Sequence, residues 1–330
     1  MAAKERAEKI LRFLDGIIAI PLVPAAVLMA FIRRASLHRL PICRAVLRRV
    51  GVMPVRNHYY EPWADHDSLS GRLDQPRALP GLDWRDDEQL ALLERCTFQS
   101  ELADLEDPAG TRNGFRFGNG MFEQGDAEML YNLIRLRKPR RIYEIGSGNS
   151  TLVAAKAIAA NRADDPDHRC EHVCVEPFEN RWLDSIGVRV VRQRVEDLGP
   201  DFFADLEQGD LLFIDSSHVI RPRGDVLCEY LEILPTLQPG VLVHVHDIYT
   251  PRDYPELWVL GRHRFWNEQY LLEAFLTDSP SWRIVAAMNY LQHAHAEQLQ
   301  QACPHLRADV ETGSFYLERV AAGVSSPEPA

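Results

Sequence analysis

The segment Arg141-Ile142-Tyr143-Glu144-Ile145-Gly146-Ser147-Gly148-Asn149-Ser150-Thr151 constrains this chain more than any other. Its apolar run predicts a short strand, its two glycines a tight loop, and Ser150 or Thr151 the cap of a following helix. Glycines let a ligand approach the main chain, and the first amides of a helix point unpartnered at the same space. Downstream the pattern repeats. Strands are predicted at 172–176, 188–192, 210–215, 240–246, 282–287 and near 314–319, with helices at 150–161, 178–185, 198–207, 224–237 and 266–277. Near-continuous apolar runs such as Leu211–Ile214 belong in strands covered on both faces. The expected fold class is therefore α/β, a doubly wound and mostly parallel sheet.

The first 56 residues read differently. They hold eleven Lys/Arg against three Asp/Glu, about +8, inside a chain whose net charge is −11. That overall charge argues against a nucleic-acid partner. Ile17 to Ile32 is apolar and uncharged, shorter than the ~20 residues of a simple span, and carries Pro21 and Pro24. Basic residues flank it on both sides, and residues 33–50 can form a basic amphipathic helix. The expectation is a kinked, monotopic or re-entrant hairpin on the cytoplasmic face of a membrane, the rival being a kinked helix packed on the catalytic domain. Acidic Glu5, Glu8 and Asp15 before the apolar run count against a cleaved signal. The six cysteines show no framework spacing, which fits a reducing, cytoplasmic setting.

Residues 57–109 are expected to form a connector and helical cap, with a helix over 86–105. A second helix is expected over 121–137, ahead of the central strand. Residues 110–320 would be the α/β domain and 321–330 a disordered tail.

Glu-x-Gly-x-Gly-x-Ser at 144–150 resembles motif I of the class I S-adenosylmethionine-dependent methyltransferases, in particular the methyltransferase family 24-like group. It departs from the dinucleotide fingerprint, which wants a third glycine where Thr151 stands. The resemblance, over about residues 110–320, implies a Rossmann-like seven-stranded sheet with an antiparallel last strand, here with an N-terminal helical extension. It implies S-adenosylmethionine as cofactor, held by Glu144, Gly146, Ser147, Gly148, Asn149 and Ser150. It also implies an acid for the ribose hydroxyls at the end of the second strand (Glu176), an adenine contact after the third (Glu196 or Asp197), and Asp215 after the fourth. Phe115, Arg116, Phe117, Asn119 and Met121 precede motif I, where the family often places a lid over the cofactor.

Acceptor chemistry is expected from Asp215, His218, His246 and Asp247. Either His218 or His246 is a general base oriented by an aspartate, or Asp215, His246 and Asp247 hold a divalent ion. Metal-dependent members of the superfamily use an Asp-Asn pair where this chain has His246-Asp247. His244, one pleat deeper, is expected to be a hydrogen-bonded core residue. Tyr249, Arg264, Trp266, Asn267 and Tyr270 are candidates for stacking on and hydrogen-bonding the acceptor. The expected activity is O-methylation of a small polar, saccharide or lipid-linked acceptor. The rivals are a metal-dependent hydroxylase-like enzyme on the same fold and a non-catalytic cofactor-binding or scaffold protein.

Overall fold

The computed structural model describes residues 2–321 apart from 64, 108, 110, 112, 113 and 179. The chain forms two compact units, Met1–Ser70 and Gly71–Ala330. Nearly all of the expected tail, residues 322–330, lies outside the described residues.

In the first unit, helix α1 (Ala2–Ala35) runs 34 residues straight through Pro21 and Pro24. Among the described residues the chain makes no turn at either proline, where the sequence suggests a hairpin. Each proline removes one ladder bond, but its fixed φ is itself helical and the flanking bonds carry the helix past it. A single tight turn, Leu37–Arg39, leads to α2 (Pro41–Val50), which has proline in its first turn. Gly51 ends α2 in the left-handed conformation at φ 79°, donating its N–H to Leu47. Arg33 grips Glu61 with two hydrogen bonds of 2.8 and 2.7 Å.

The second unit is built on seven strands: β1 (Arg141–Ile145), β2 (Glu171–Val175), β3 (Arg189–Val191), β4 (Leu211–Ile214), β5 (Leu242–Val245), β6 (Trp282–Ala287) and β7 (Phe315–Arg319). Their order across the sheet is β3-β2-β1-β4-β5-β7-β6. The first five are parallel, and β7 inserts antiparallel between β5 and β6. Successive residues on a strand point to opposite faces, so each strand feeds two cores. Ile142, Leu211, Phe213 and Tyr316 pack into one, and Tyr143, Leu212, Ile214, Val243 and Leu317 into the other.

Helices α4 (Asp126–Arg137) and α5 (Asn149–Asp164) cover the first face, and α6 (Glu268–Leu276) supplies Leu272 and Leu276 to the second. Helix α4 begins five residues later than expected, after Gly125 at φ 80°, whose N–H donates to Glu128. Much of the expected connector and cap belongs to this unit. Leu92 and Leu93 of α3 (Asp86–Arg95), with Cys96, Leu102 and Leu105, join the first core. Gln89 accepts the Ala287 N–H at the end of β6. Helices α7 (Met288–Ala294) and α8 (Ala296–Ala302) have no counterpart in the sequence reading; their Leu291 and Leu299 are buried in the same core.

His244 sits in the middle of β5, fully buried between Phe213 and Tyr316, with ring centroids 4.3 and 4.4 Å away. Contrary to expectation, neither ring nitrogen has a hydrogen-bond partner among the described residues. Burial, aided by the nearby charge of His246, holds its pKa well below the ordinary value. It is therefore neutral in the fold, whereas in the unfolded chain it gains a proton below about pH 6.5. Stability should fall as pH drops through that value. His244→Phe keeps a ring in place and removes both unpartnered nitrogens. It is expected to melt higher than wild type and to lose stability less steeply between about pH 7 and pH 5. Thermal unfolding at the two pH values checks this; a lower melting point with an unchanged slope would overturn it.

Candidate active site

The order of strands reverses between β1 and β4, and a parallel sheet opens its ligand crevice at such a point, beyond the carboxyl ends. A cavity of about 660 Å³ lies there. Its wall includes Gly146, Ser147, Gly148, Asn149 and Ser150 after β1, Glu176 after β2, Asp215 and His218 after β4, and His246 and Asp247 after β5.

Close packing fixes the glycine loop. Gly146 adopts φ 78°, and a Cβ built on it would stand 1.8 Å from the Asp215 carbonyl oxygen. The Asp215 N–H in turn donates to the Ile145 carbonyl over 2.8 Å. Thr151, where a third glycine would stand in a dinucleotide loop, accepts the Gly148 N–H through Oγ1 at 3.0 Å. The same hydroxyl donates to Glu144 at 2.6 Å. Asn180 holds the Ser147 carbonyl at 2.6 Å, and the Glu176 carboxylate lies 3.5 Å from the Ser147 nitrogen.

Three expected cofactor contacts are displaced by these neighbours. Glu144 does not line the cavity; it is fully buried beneath the loop, with Thr151, His172 and Cys174 around its Oε2. It braces the loop from beneath through Thr151. Glu196 and Asp197 sit on the turn Val195–Leu198, away from the cavity wall, and both pair with Arg194.

The acceptor end is organised around His218, itself in the left-handed region at φ 59°. Its Nε2 lies 3.2 Å from Asp215 and 3.5 Å from Asp247, and its Nδ1 lies 2.8 Å from Glu268. Asp247 is likewise left-handed at φ 56°. Two non-glycine residues in this conformation at one site mark strain held by the surrounding packing. Asp215, His218 and Asp247 each offer one ligand atom, all within 4.8 Å of one another. The expected trio contained His246 instead. That ring packs on Phe122 at 5.0 Å, and its Nε2 is 3.8 Å from Asp247.

The electrostatics follow from crowding carboxylates in a buried place. Burial disfavours the His218 imidazolium, but bonds to Asp215 and Glu268 and the charges of Glu268 and Asp247 outweigh it, leaving the pKa well above the ordinary value. Burial likewise works against the Asp215 carboxylate, and the His218 bond with the charges of His246 and His218 brings its pKa below normal. Asp247 and Glu268 stay raised, chiefly by burial. Glu229, which accepts the Ser216 hydroxyl, is pushed well up by burial and by the charges of Glu268 and Asp225. The site therefore favours one positive charge at the point where Asp215, His218 and Asp247 meet.

Of the expected acceptor contacts, Tyr249, Arg264 and Trp266 line the cavity. Trp258 joins them, edge-on to Trp266, and the Arg264 guanidinium lies against both rings, 4.5 and 4.2 Å from their centroids. Asn267 and Tyr270 face elsewhere: Asn267 accepts the Ile220 N–H, and Tyr270 donates to Asp253. Among the expected lid residues, Met121 lines the cavity and Asn119 bonds Asn149, whereas Phe115 is buried in the core with Phe117 packed on it. Arg116 is not part of the wall. Sequence reasoning missed Glu268, Trp258 and Asp126. Asp126 is a buried carboxylate at the start of α4 that accepts the Gly313 and Ser314 N–H groups beside the cavity.

A glycine loop at the switch point of a sheet in this order defines a class I methyltransferase fold. Residues 143–248 match the family described as a methyltransferase domain, Methyltransf_24. An uncharacterised protein of Archaeoglobus fulgidus is 28% identical over 177 residues, 50% of this chain and 78% of that relative. The crystal structure of an O-methyltransferase from Bacillus cereus in complex with SAH aligns over 72% of this chain and 98% of its own, at 14% identity and a TM-score of 0.36. No residue role is carried over from either.

Proposed function

We propose that this protein transfers the methyl group of S-adenosylmethionine to a hydroxyl of a small polar, saccharide or lipid-linked acceptor in the cytoplasm. The observation that carries the reading is the meeting of Asp215, His218 and Asp247 on the cavity wall beside the glycine loop.

The residues at the other end of the cavity fit the cofactor. The main chain of Gly146 to Gly148 is bare of side chains on two of its three residues, and Ser150 lies in the first turn of the 16-residue helix α5. Glu176, at the cavity edge, can accept both hydroxyls of a ribose. When bound, the cofactor supplies an electrophilic methyl group on a sulfonium. The protein's part is to position the acceptor oxygen in line with it and to help that oxygen lose its proton.

Two forms of that help fit the side chains. Nε2 of His218 sits between two carboxylates, which suits a ligand of a divalent cation, with Asp215 and Asp247 as the other ligands and Glu268 orienting the ring from behind. Such an ion would supply a Lewis acid for the acceptor hydroxyl. The Glu268–His218 bond equally suits an imidazole that takes the proton itself. The carboxylates around His218 hold its pKa well above the ordinary value, so either form requires the ring to give up its proton first. Trp258, Trp266 and the Arg264 guanidinium offer the acceptor a stacking wall and hydrogen-bond donors.

Calorimetric titration of the full chain with S-adenosylhomocysteine is expected to show one binding site per chain. A folded protein that gives no heat at any accessible concentration would sink the reading. With an acceptor in hand, a strong chelator is expected to stop turnover and Mg²⁺ or Mn²⁺ to restore it. Undiminished turnover in chelator would leave the imidazole form.

A further inference from the structure

Residues 8–35 of α1 contain an 18-residue window of mean hydropathy 2.2, of which only 6% is buried. The exposure is on every side. At 100° per residue, Ile17, Ile18, Ile20, Leu22 and Val23 point all around the axis, and they are 50%, 58%, 75%, 57% and 65% exposed. A helix docking on a protein would present a stripe, and a coiled coil a still narrower seam. A surface apolar all round calls for an apolar medium all round.

Length and charge identify that medium. From Gly16 to Ile32 the helix runs uncharged for 17 residues, ~25 Å, the lower end of the range that crosses a bilayer's hydrocarbon core. Pro21 and Pro24 are tolerated in such a helix more readily than in a soluble one. Beyond it the chain turns basic: Arg33, Arg34, Arg39, Arg44, Arg48 and Arg49 lie within residues 33–50, which contain no acidic residue. The amino-terminal flank has four Lys/Arg diluted by Glu5, Glu8 and Asp15. On α2, Ile42, Val46 and Val50 recur at helical spacing and are 79%, 56% and 69% exposed. This is the pattern of a helix lying at a headgroup boundary.

We propose that α1 crosses a bilayer once and that α2 lies on the anionic, cytoplasmic leaflet at its carboxyl end. This replaces the hairpin anticipated from the sequence and does not depend on the methyltransferase reading. The partner is a lipid surface rich in acidic headgroups, which attracts juxtamembrane arginines.

The test expresses the intact chain and extracts membranes with alkaline carbonate. The protein is expected in the pellet at full-length mass, and an Ile18→Arg/Leu22→Arg variant in the supernatant with the same thermal unfolding temperature. Reconstituted protein bearing Arg44→Glu, Arg48→Glu and Arg49→Glu should lose the quenching of an interfacial fluorophore at α2 that wild type shows with phosphatidylglycerol in phosphatidylcholine vesicles. Wild type recovered as a monodisperse soluble protein, a membrane-free product lacking the first 35 residues, or a double-arginine variant that stays in the pellet would each overturn the span. Equal signals from wild type and the triple variant on anionic vesicles would overturn the placement of α2.

Discussion

Replacing His218 by alanine is expected to lower kcat by about 10²–10⁴-fold while leaving S-adenosylhomocysteine affinity within a few-fold of wild type. Among the described residues, the imidazole is the one group that touches Asp215, Asp247 and Glu268 together. In the proposed function the acceptor oxygen loses its activation without it, whether the ring ligates a cation or moves a proton. The substitution should also lower stability, because Glu268 is fully buried and would lose the partner of its carboxylate. Part of that loss is relieved by Glu268 taking a proton, towards which burial already pushes it. The informative comparison is His218→Ala with His218→Ala/Glu268→Gln, by thermal unfolding and turnover. The second change should restore stability without restoring rate. If rate returned with stability, His218 would be a packing residue and the site would have to be placed elsewhere in the cavity.

Gly146→Ala is the second large effect. The residue combines φ 78° with the Asp215 carbonyl oxygen standing where a Cβ would go. A methyl group there must push β1 and β4 apart at their carboxyl ends, because the obstacle is main chain and cannot rotate away. Loss of S-adenosylhomocysteine affinity by about 100-fold or more is expected, with a stability cost of ~2–4 kcal/mol from strain and overpacking. Gly209→Ala is the control. It has φ 91° but nothing within 4 Å of the added carbon, so it isolates the left-handed penalty of roughly 1–2 kcal/mol. Near-equal cofactor affinity in the two variants would show that Gly146 serves conformation alone and that the close approach of Asp215 does not shape the site.

The sheet was legible in the sequence because strands buried on both faces leave long apolar runs, and acids at their ends stand out. Glu176 and Asp215 do emerge one residue past β2 and β4, and the loop at 146–150 does face the cavity. Glu144 misled because it is the same residue type near the same loop, one pleat further in. There the strand alternation turns it into the sheet's flank, opposite Cys174, and Thr151 claims its oxygen. Glu268 was invisible for a different reason. It lies 50 residues from His218, on a helix whose first turn happens to abut β4's loop, and no spacing rule links the two. Pro21 and Pro24 suggest a kinked hairpin in the sequence, whereas the helix, already long on both sides, continues through both.

All six cysteines are unpaired, and their distribution makes a practical tool. In the second unit, burial pushes the Cys96 and Cys170 thiols up to about 12 and Cys228 up to about 11, and raises Cys174 and Cys303 as well. Thiolate is the reactive form, so these five are slow towards alkylating dyes at neutral pH. Cys43 lies in the first unit, half-buried on α2. Labelling that leaves the five slow thiols untouched would place a reporter on the helix whose lipid contact is in question, with no engineered cysteine and no cysteine removed.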